Sequence, residues 1–405
     1  MTQVKERWHN PPPRVIFLLF LPALIFESAF NADWFTFKRQ FVKILLMAGP
    51  MLLFASFATA YLMKALQFES FNGFTFVECV LFGAINSATD PVAVVSLLKA
   101  LGVSKRISTL IEGESLLNDG TALVFFLVLQ EFVHGDSLTV PEIAGKFCQM
   151  SIGGPLVGLA FGFIMKFLLS RTYNQPTMEA NITVCLPYIC FYVCEHEKVH
   201  VSGILALVTM GLYMTDVGKT EISSDSEKQI HAIWSYIGFV AETLIFLLTG
   251  FVLGGALSEV EPIWFAQLFA LYIGLHLIRF LGLILLWPFM RKTGYDYNFK
   301  HIILLSYSGL RGAVGLCLAL IVRQDPKNDD ENVKKQVLFF SAGIVLLTLV
   351  VNAPTTGFLI NKLGLTKETE MSKRMVRKVL DGHKKQTELF IQGWKQERSE
   401  HGDKA

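Results

Sequence analysis

The sequence predicts an all-α polytopic membrane protein with about eleven spans, two of them interrupted crossing helices related by an inverted repeat. Three observations lead there. Hydrophobic residues are 52% of the 405-residue chain and charged residues 17%, against about 25% charged in an average soluble domain. Apolar stretches near the 20 or so residues that cross a bilayer recur along most of the chain. Two of these stretches, containing SATDPVAVV at 87–95 and SGLRGAVG at 308–315, carry a charge beside helix-breaking residues at their centres.

In chain order the spacing predicts spans at 13–32, 41–65, 75–98, 106–133, 143–170, 179–194, 200–216, 231–256, 262–290, 299–322 and 335–361. The sixth and seventh are short and leave two geometries open, an altered tilt or a partly re-entrant segment. Basic residues set the orientation, because positive loops stay cytoplasmic. One set of alternate loops holds Lys38, Arg39, Lys43, Lys99, Lys105, Arg106, Arg171, Lys219, Lys228, Arg291, Lys292 and Lys300; the other holds only Lys198, Arg323, Lys327, Lys334 and Lys335. The richer set is expected inside, together with the tail from 362. Lys5, Arg7 and Arg14 then fall outside, against the trend. The opening MTQVKERWHNPPP has no apolar core or cleavage site, so no removable targeting segment is expected.

The remaining composition narrows the function. A net charge of +2, from 36 basic and 34 acidic residues, leaves no excess for gripping nucleic acid. The six cysteines sit mostly in apolar runs without metal-ligand spacing, which predicts buried reduced thiols. The tail, 362–405, turns polar and places Met375, Val376, Val379 and Leu380 at helical spacing. Three readings of it stay open: an amphipathic helix on the inner leaflet, the start of a cytoplasmic regulatory region, or a solvated helix.

An ionisable group deep in a span must find a partner or line an aqueous path. Those groups are Glu27, Asp90, Glu112, Glu114, Asp119, Glu242, His276, Arg279 and Arg311; Lys166 lies near enough to a helix end to snorkel. At the first interruption Pro91 removes an amide donor and disfavours helix at Asp90, which leaves Asp90 to cap a second half-helix. A simple kink with a capping Asp is the alternative. The second interruption surrounds Arg311 with glycines, which tight helix packing would also explain, though without the arginine. The second lies seven spans after the first, an odd offset that makes them cross in opposite senses, as in an inverted-repeat transporter. Between them, EGESLLNDGTALVFF at 112–126 puts Glu114 with Asn118 and Ser115 with Asp119 on adjacent strips of one helical face. Here too an alternative stands: Asn118, Asp119 and Gly120 as a turn between two shorter elements.

These motifs resemble the monovalent cation/proton antiporters, in the sodium/proton exchanger branch. FLPALIFESAF at 20–30, SATDPVAVV, EGESLLNDG at 112–120, EKVHVSGI at 197–204, AETLIFLLTG at 241–250 and GLRGAVG at 309–315 occur in the family's order. Their wording is similar to plant plasma-membrane and sperm-specific exchangers alike. The resemblance implies that Asp119 is the carboxylate shared by Na+ and H+, with Asn118 beside it. It implies an oxygen cage completed by Ser115, Glu27, Asp90 and the Thr89 carbonyl. It also implies a structural ion pair between Glu114 and Arg311, and an outward entrance pair of Glu197 and His200, for which a plain surface pair is the rival reading. The chain starts at what resembles the family's third span, so two earlier spans and the dimer contacts they support are expected to be missing.

The expected activity is secondary active exchange of Na+, or of Li+ or K+, for H+ at Asp119 by alternating access, without a cofactor. Hard oxygen ligands suit such ions. Asn118 adds no second titrating charge, so one cation for one proton, with no net charge moved, is the simplest stoichiometry. The expected partners are the two ions, the bilayer and a second copy in a homodimer; the expected location is the plasma membrane. A cation channel lined by the same acidic residues is the alternative. An enzyme is not expected: no His-Glu-x-x-His motif occurs, and Ser115 has no histidine nearby in sequence.

Overall fold

The computed structural model describes residues 13–66, 73–134, 140–196, 199–256, 260–292, 297–326, 330–365 and 370–402. Among them the secondary structure is helical, with no strand beyond one isolated backbone bridge. In chain order the helices are α1 (Pro13–Asn31), α2 (Trp34–Ala65), α3 (Phe76–Ile85), α4 (Val92–Ala100), α5 (Lys105–Val133), α6 (Val140–Arg171) and α7 (Pro176–Cys194). They continue with α8 (Gly203–Asp216), α9 (Ser224–Ala256), α10 (Pro262–Lys292), α11 (Phe299–Tyr307), α12 (Ala313–Arg323), α13 (Glu331–Leu363) and α14 (Glu370–Gly402). Each of the eleven expected apolar stretches is a helix or a pair of half-helices.

Both interruptions fall where the sequence places them, between α3 and α4 and between α11 and α12. Seven helices among the described residues are long and apolar enough to cross a bilayer uninterrupted. The seventh stretch is α8, whose 14 residues rise only about 21 Å, short of a bilayer's hydrocarbon thickness. The turn reading of Asn118–Gly120 is overturned: all three lie inside the continuous 29-residue α5.

Local chemistry explains the ends. Thr75 and Glu78 form a reciprocal capping box at the start of α3. Asp33 accepts the Thr36 amide at α2, and Asp330 accepts the Asn332 and Val333 amides at α13. Two long helices carry a single π turn, Met47–Met51 in α2 around Pro50 and Thr348–Asn352 in α13. Helix α2 starts at Trp34, earlier than the apolar stretch suggests. Lys43 is therefore no loop residue: it is buried on α2 with its ammonium 4.3 Å from the centre of the Tyr297 ring.

Packing sorts the helices of residues 13–359 into two groups. Helix α8 sits at the heart of one, against α1, α6 and α7, with α9 on α1 and α7. The other holds α2 to α5 and α10 to α13, in which α3 packs on α2 and α5, α12 on α13 and α10 on α2 and α11. The groups meet where α5 touches α6 and α8 and where α12 touches α1 and α9. Cys79, Cys190, Cys194 and Cys317 are buried free thiols as expected, whereas Cys148 and Cys185 face outward. The described residues from 360 onward form a compact unit of their own, in which α14 exposes Val379, Leu380, Phe390 and Trp394.

Candidate functional site

Breaking a helix inside lipid leaves backbone groups that something must satisfy. At the first interruption the Asp90 carboxylate accepts the Val92 amide at 2.9 Å and so caps α4, with Pro91 between them. The orphaned Ser87 carbonyl accepts from the Asn118 amide at 2.7 Å and the Arg311 guanidinium at 3.0 Å. Asn118 also lies 3.4 Å from the Thr89 hydroxyl, and the Ser115 hydroxyl donates to the Thr89 carbonyl. The two strips read on α5 thus face this break. The interruptions also meet each other: the Asp90 amide donates to the Leu310 carbonyl at 2.9 Å, forming the isolated bridge. Gly312 is needed there, because a Cβ at that position would run into the Asp90 side chain.

A cavity of about 240 Å³ opens beside this crossing, between α1 and α9 on one wall and α4, α5 and α12 on the other. Glu27, Thr89, Asp90, Ser115 and Asp119 all line it. Asp119 is 8% exposed, and its Oδ1 is buried without a hydrogen bond from the chain. Glu27 takes a hydrogen bond from Asn31 at 3.1 Å and faces Gly238. Asn118 does not line this cavity; it lies with Glu114, Arg279 and Arg311 in the small pocket behind it. Glu242 of α9, noticed in sequence only as a charge within a span, completes the wall. Its signal was its place in AETLIFLLTG, which nothing in the sequence tied to Asp119. Among the described residues no three His, Cys, Asp or Glu side chains converge as a metal-ion site. The carboxylates therefore surround the cavity instead of meeting at one point.

Behind the cavity the expected Glu114–Arg311 pair is corrected. Glu114 pairs with Arg279 of α10 at 2.7 Å, both almost fully buried. Arg279 Nε also donates to the Leu305 carbonyl at 3.1 Å, which leaves one guanidinium joining α5 to the end of α11. Arg311 instead spends its guanidinium on Ser87 and its backbone amide on the Thr348 hydroxyl at 3.2 Å. The reason is adjacency: α10 runs beside α11 and brings Arg279 to Glu114, which sequence order cannot show. A further anchor was also missed. Asn352, in the π turn of α13, bonds His276 at 2.6 Å and the Tyr307 carbonyl at 3.3 Å, satisfying the last turn of α11.

Two more cavities flank the centre. One, about 780 Å³, includes Asn31, Asp33, Lys99, Lys105, Glu112 and Lys219. Here Lys99 pairs with Glu112 at 2.7 Å, and Lys105 pairs with Asp33. Burial works against the Asp33 anion, but Lys105 and the Thr36 donors outweigh it and hold the carboxyl below the usual range. The other, about 220 Å³, lies by the far end of α5 and includes Glu131, His134, Glu195 and His200. Burial pushes Glu195 up to about 7 even though it accepts the Gly203 amide. His200 is exposed, with a left-handed backbone (φ 47°). Its expected partner Glu197 lies outside the described residues.

The sequence profile described as "sodium/hydrogen exchanger, transmembrane" matches residues 7–362. The chain belongs to the sodium/hydrogen exchanger family. Sodium/hydrogen exchanger 8 of Arabidopsis thaliana is 36% identical over 376 residues, 91% of this chain and 49% of that protein. Sodium/hydrogen exchanger 7 of the same plant is 36% identical over 365 residues, 88% of this chain and 31% of that one. The low-affinity Na(+)/H(+) antiporter NhaS1 of Synechocystis is 30% identical over 366 residues, covering 88% and 66%. This exchanger-family chain thus spans between about a third and a half of the plant relatives it matches. Its fold is that of the sodium proton antiporter MjNhaP1 from Methanocaldococcus jannaschii at pH 8, with a TM-score of 0.72 at 20% identity over 86% of this chain and 84% of that one. It is a multi-pass membrane protein of a transporter family.

Proposed function

We propose that this chain exchanges Na+ for H+ at Asp119, one for one, by alternating access. The observation that carries the reading is the buried Asp119 carboxylate, with one oxygen free of hydrogen bonds, facing a cavity beside the crossing of two interrupted helices that Glu27, Asp90 and Glu242 also line. Burial makes an empty carboxylate the costly state, whereas a carboxylate holding either Na+ or H+ is neutral and cheaper to move. Because Na+ and H+ claim the same oxygens, loading one releases the other. Thr89, Ser115, Asp90 and Glu27 supply further oxygens around the cavity, and Asn118 holds the Ser87 carbonyl of the first break without adding charge. Li+ or K+ would compete according to how far those oxygens close in. The names of the relatives, antiporters and exchangers, support carriage over a channel, as does the crossing of the two breaks beside the cavity that Asp119 lines.

The same reading places the Lys99–Lys105 face in the cytoplasm, the chain in the plasma membrane, and the outward apolar side chains of α6 and α9, such as Phe163 and Tyr236, against lipid or a second copy. Sodium-driven proton flux in vesicles, measured for the protein and for Asp119→Asn across several pH values, tests it. The variant should lose flux by at least about a hundredfold, the scale of a removed acid–base group. Equal flux from both proteins would remove Asp119 from the mechanism. A membrane-potential-dependent current through Asp119 would refute the one-for-one exchange.

A further inference from the structure

The ion pair between Lys99 and Glu112 lies in the wide cavity beside the site. On α5, Glu112, Ser115 and Asp119 are three and four residues apart and share one helical stripe. Seven residues of helix put Glu112 about 10 Å from Asp119 along the axis. On α1, Asn31 and Glu27 repeat this arrangement and are hydrogen-bonded to each other at 3.1 Å. Glu112 and Asn31 line the 780 Å³ cavity, while Ser115, Glu27 and Asp119 line the 240 Å³ one. The two cavities are therefore stacked along the same two helices, with Glu112 in the wide one and Asp119 in the narrow one. Lys99 closes the ladder from α4: its ammonium lies 2.7 Å from Glu112 and near enough to act on the charge of Glu27. Its side chain is 65% exposed, free to swing out into the wide cavity, whereas Glu112 is held at 21%.

We infer that Lys99 is a tethered competitor for the transported cation, and that the cation reaches Asp119 from this face by displacing it from Glu112. This rests on the exchange reading above and adds the residue pair that sets apparent affinity on one side of the membrane. A side-chain ammonium on a four-carbon stem is a permanent local cation, present whether or not sodium is. When the site is empty it occupies the outer carboxylate; when sodium arrives the two exchange. An exposed pair of this kind is weak, so the competition shifts affinity by at most about fivefold. The pair therefore opens at little cost. Arg279 with Glu114 differs in kind: that pair is buried, bonded to backbone and remote from the wide cavity, and has nowhere to swing.

The test uses the full chain inserted in vesicles in one orientation, with sodium titrated on the Lys99 side and then on the opposite side. Lys99→Gln should lower the half-saturating sodium concentration two- to fivefold on its own side, leaving maximal flux and the opposite side unchanged. Glu112→Gln should raise half-saturation on that side, and Lys99→Gln added to it should change nothing further. A plain structural pair would instead lower the thermal midpoint without sodium and leave half-saturation in place, which would overturn the inference. Absence of any sodium-driven proton flux from the unmodified protein would remove the exchange reading instead. The sodium concentration giving half of the thermal stabilisation of the purified proteins then still decides: Lys99→Gln should need less than the unmodified chain, and equal values would overturn the inference.

Discussion

The two interrupted spans cross at one point yet are built with opposite chemistry. The first breaks at a proline: the Asp90 carboxylate accepts the freed Val92 amide, while the Ser115 hydroxyl and the Asn118 side-chain amide donate to the Thr89 and Ser87 carbonyls. The second breaks among glycines and is held from outside, by Arg279 at Leu305, Asn352 at Tyr307 and Thr348 at Arg311. Only the first brings acidic oxygens to the cavity. The difference teaches that topological symmetry fixes where the breaks meet, while side chains divide the labour: one presents ligands, the other is a clamped strut.

Breaking the clamp should have the largest effect. Arg279→Met strands the buried Glu114 carboxylate and should destabilise by about 3–5 kcal/mol, read as a lower thermal midpoint in detergent. Arg311→Met leaves Ser87 still bonded to Asn118 and should cost less. The reverse order would restore the Glu114–Arg311 pairing suggested by the resemblance and blur the distinction between ligand break and strut. Next comes the crossing itself. Gly312→Ala forces a Cβ against that of Asp90, for about 1–3 kcal/mol of overpacking, and should reduce flux with it. Gly309→Ala sets its Cβ against the Arg279 side chain, which Glu114 and the Leu305 carbonyl hold in place, and should destabilise through the clamp instead of the crossing. A loss of flux from Gly309→Ala without a lower thermal midpoint would blur that division between crossing and clamp.

The smallest effect belongs to a site remote from both breaks. The folded chain keeps a proton on Glu195 up to about pH 7, whereas the unfolded chain releases it near the ordinary 4.5. Stability from this group is therefore complete below about 4.5 and is lost as pH rises through 7. Glu195→Gln should flatten the thermal midpoint against pH in that window and leave exchange by the two crossing helices intact. An unchanged pH slope would show that Glu195 is not buried as described.

Much of this was legible in the sequence because bilayer thickness imposes a length and because Pro91 and the glycines around Arg311 punctuate spans that are otherwise unbroken. The strips on α5 were legible because helical spacing alone decides which side chains share a face. What could not be read depended on which helices become neighbours. Glu114 had two buried arginines to choose from, and only the packing of α10 beside α11 selects Arg279. Glu242 reaches the cavity wall through the packing of α9 on α1 and α12, long after Asp119 in the chain. Lys43 looked like a loop charge because the polar first turns of α2 hide a helix that has already begun.

The π turns in α2 and α13 have a bearing on how related chains are aligned. Each holds one residue more than the regular turn it replaces, so everything beyond it is rotated by about 100°. In α2 that phase presents the Ala48 carbonyl to Thr121, two positions past Asp119; in α13 it presents Asn352 to His276. A single-residue gap opened there when chains are superimposed would not be a trimmed loop. It would mark a helix that has changed which of its sides faces the helix beside it.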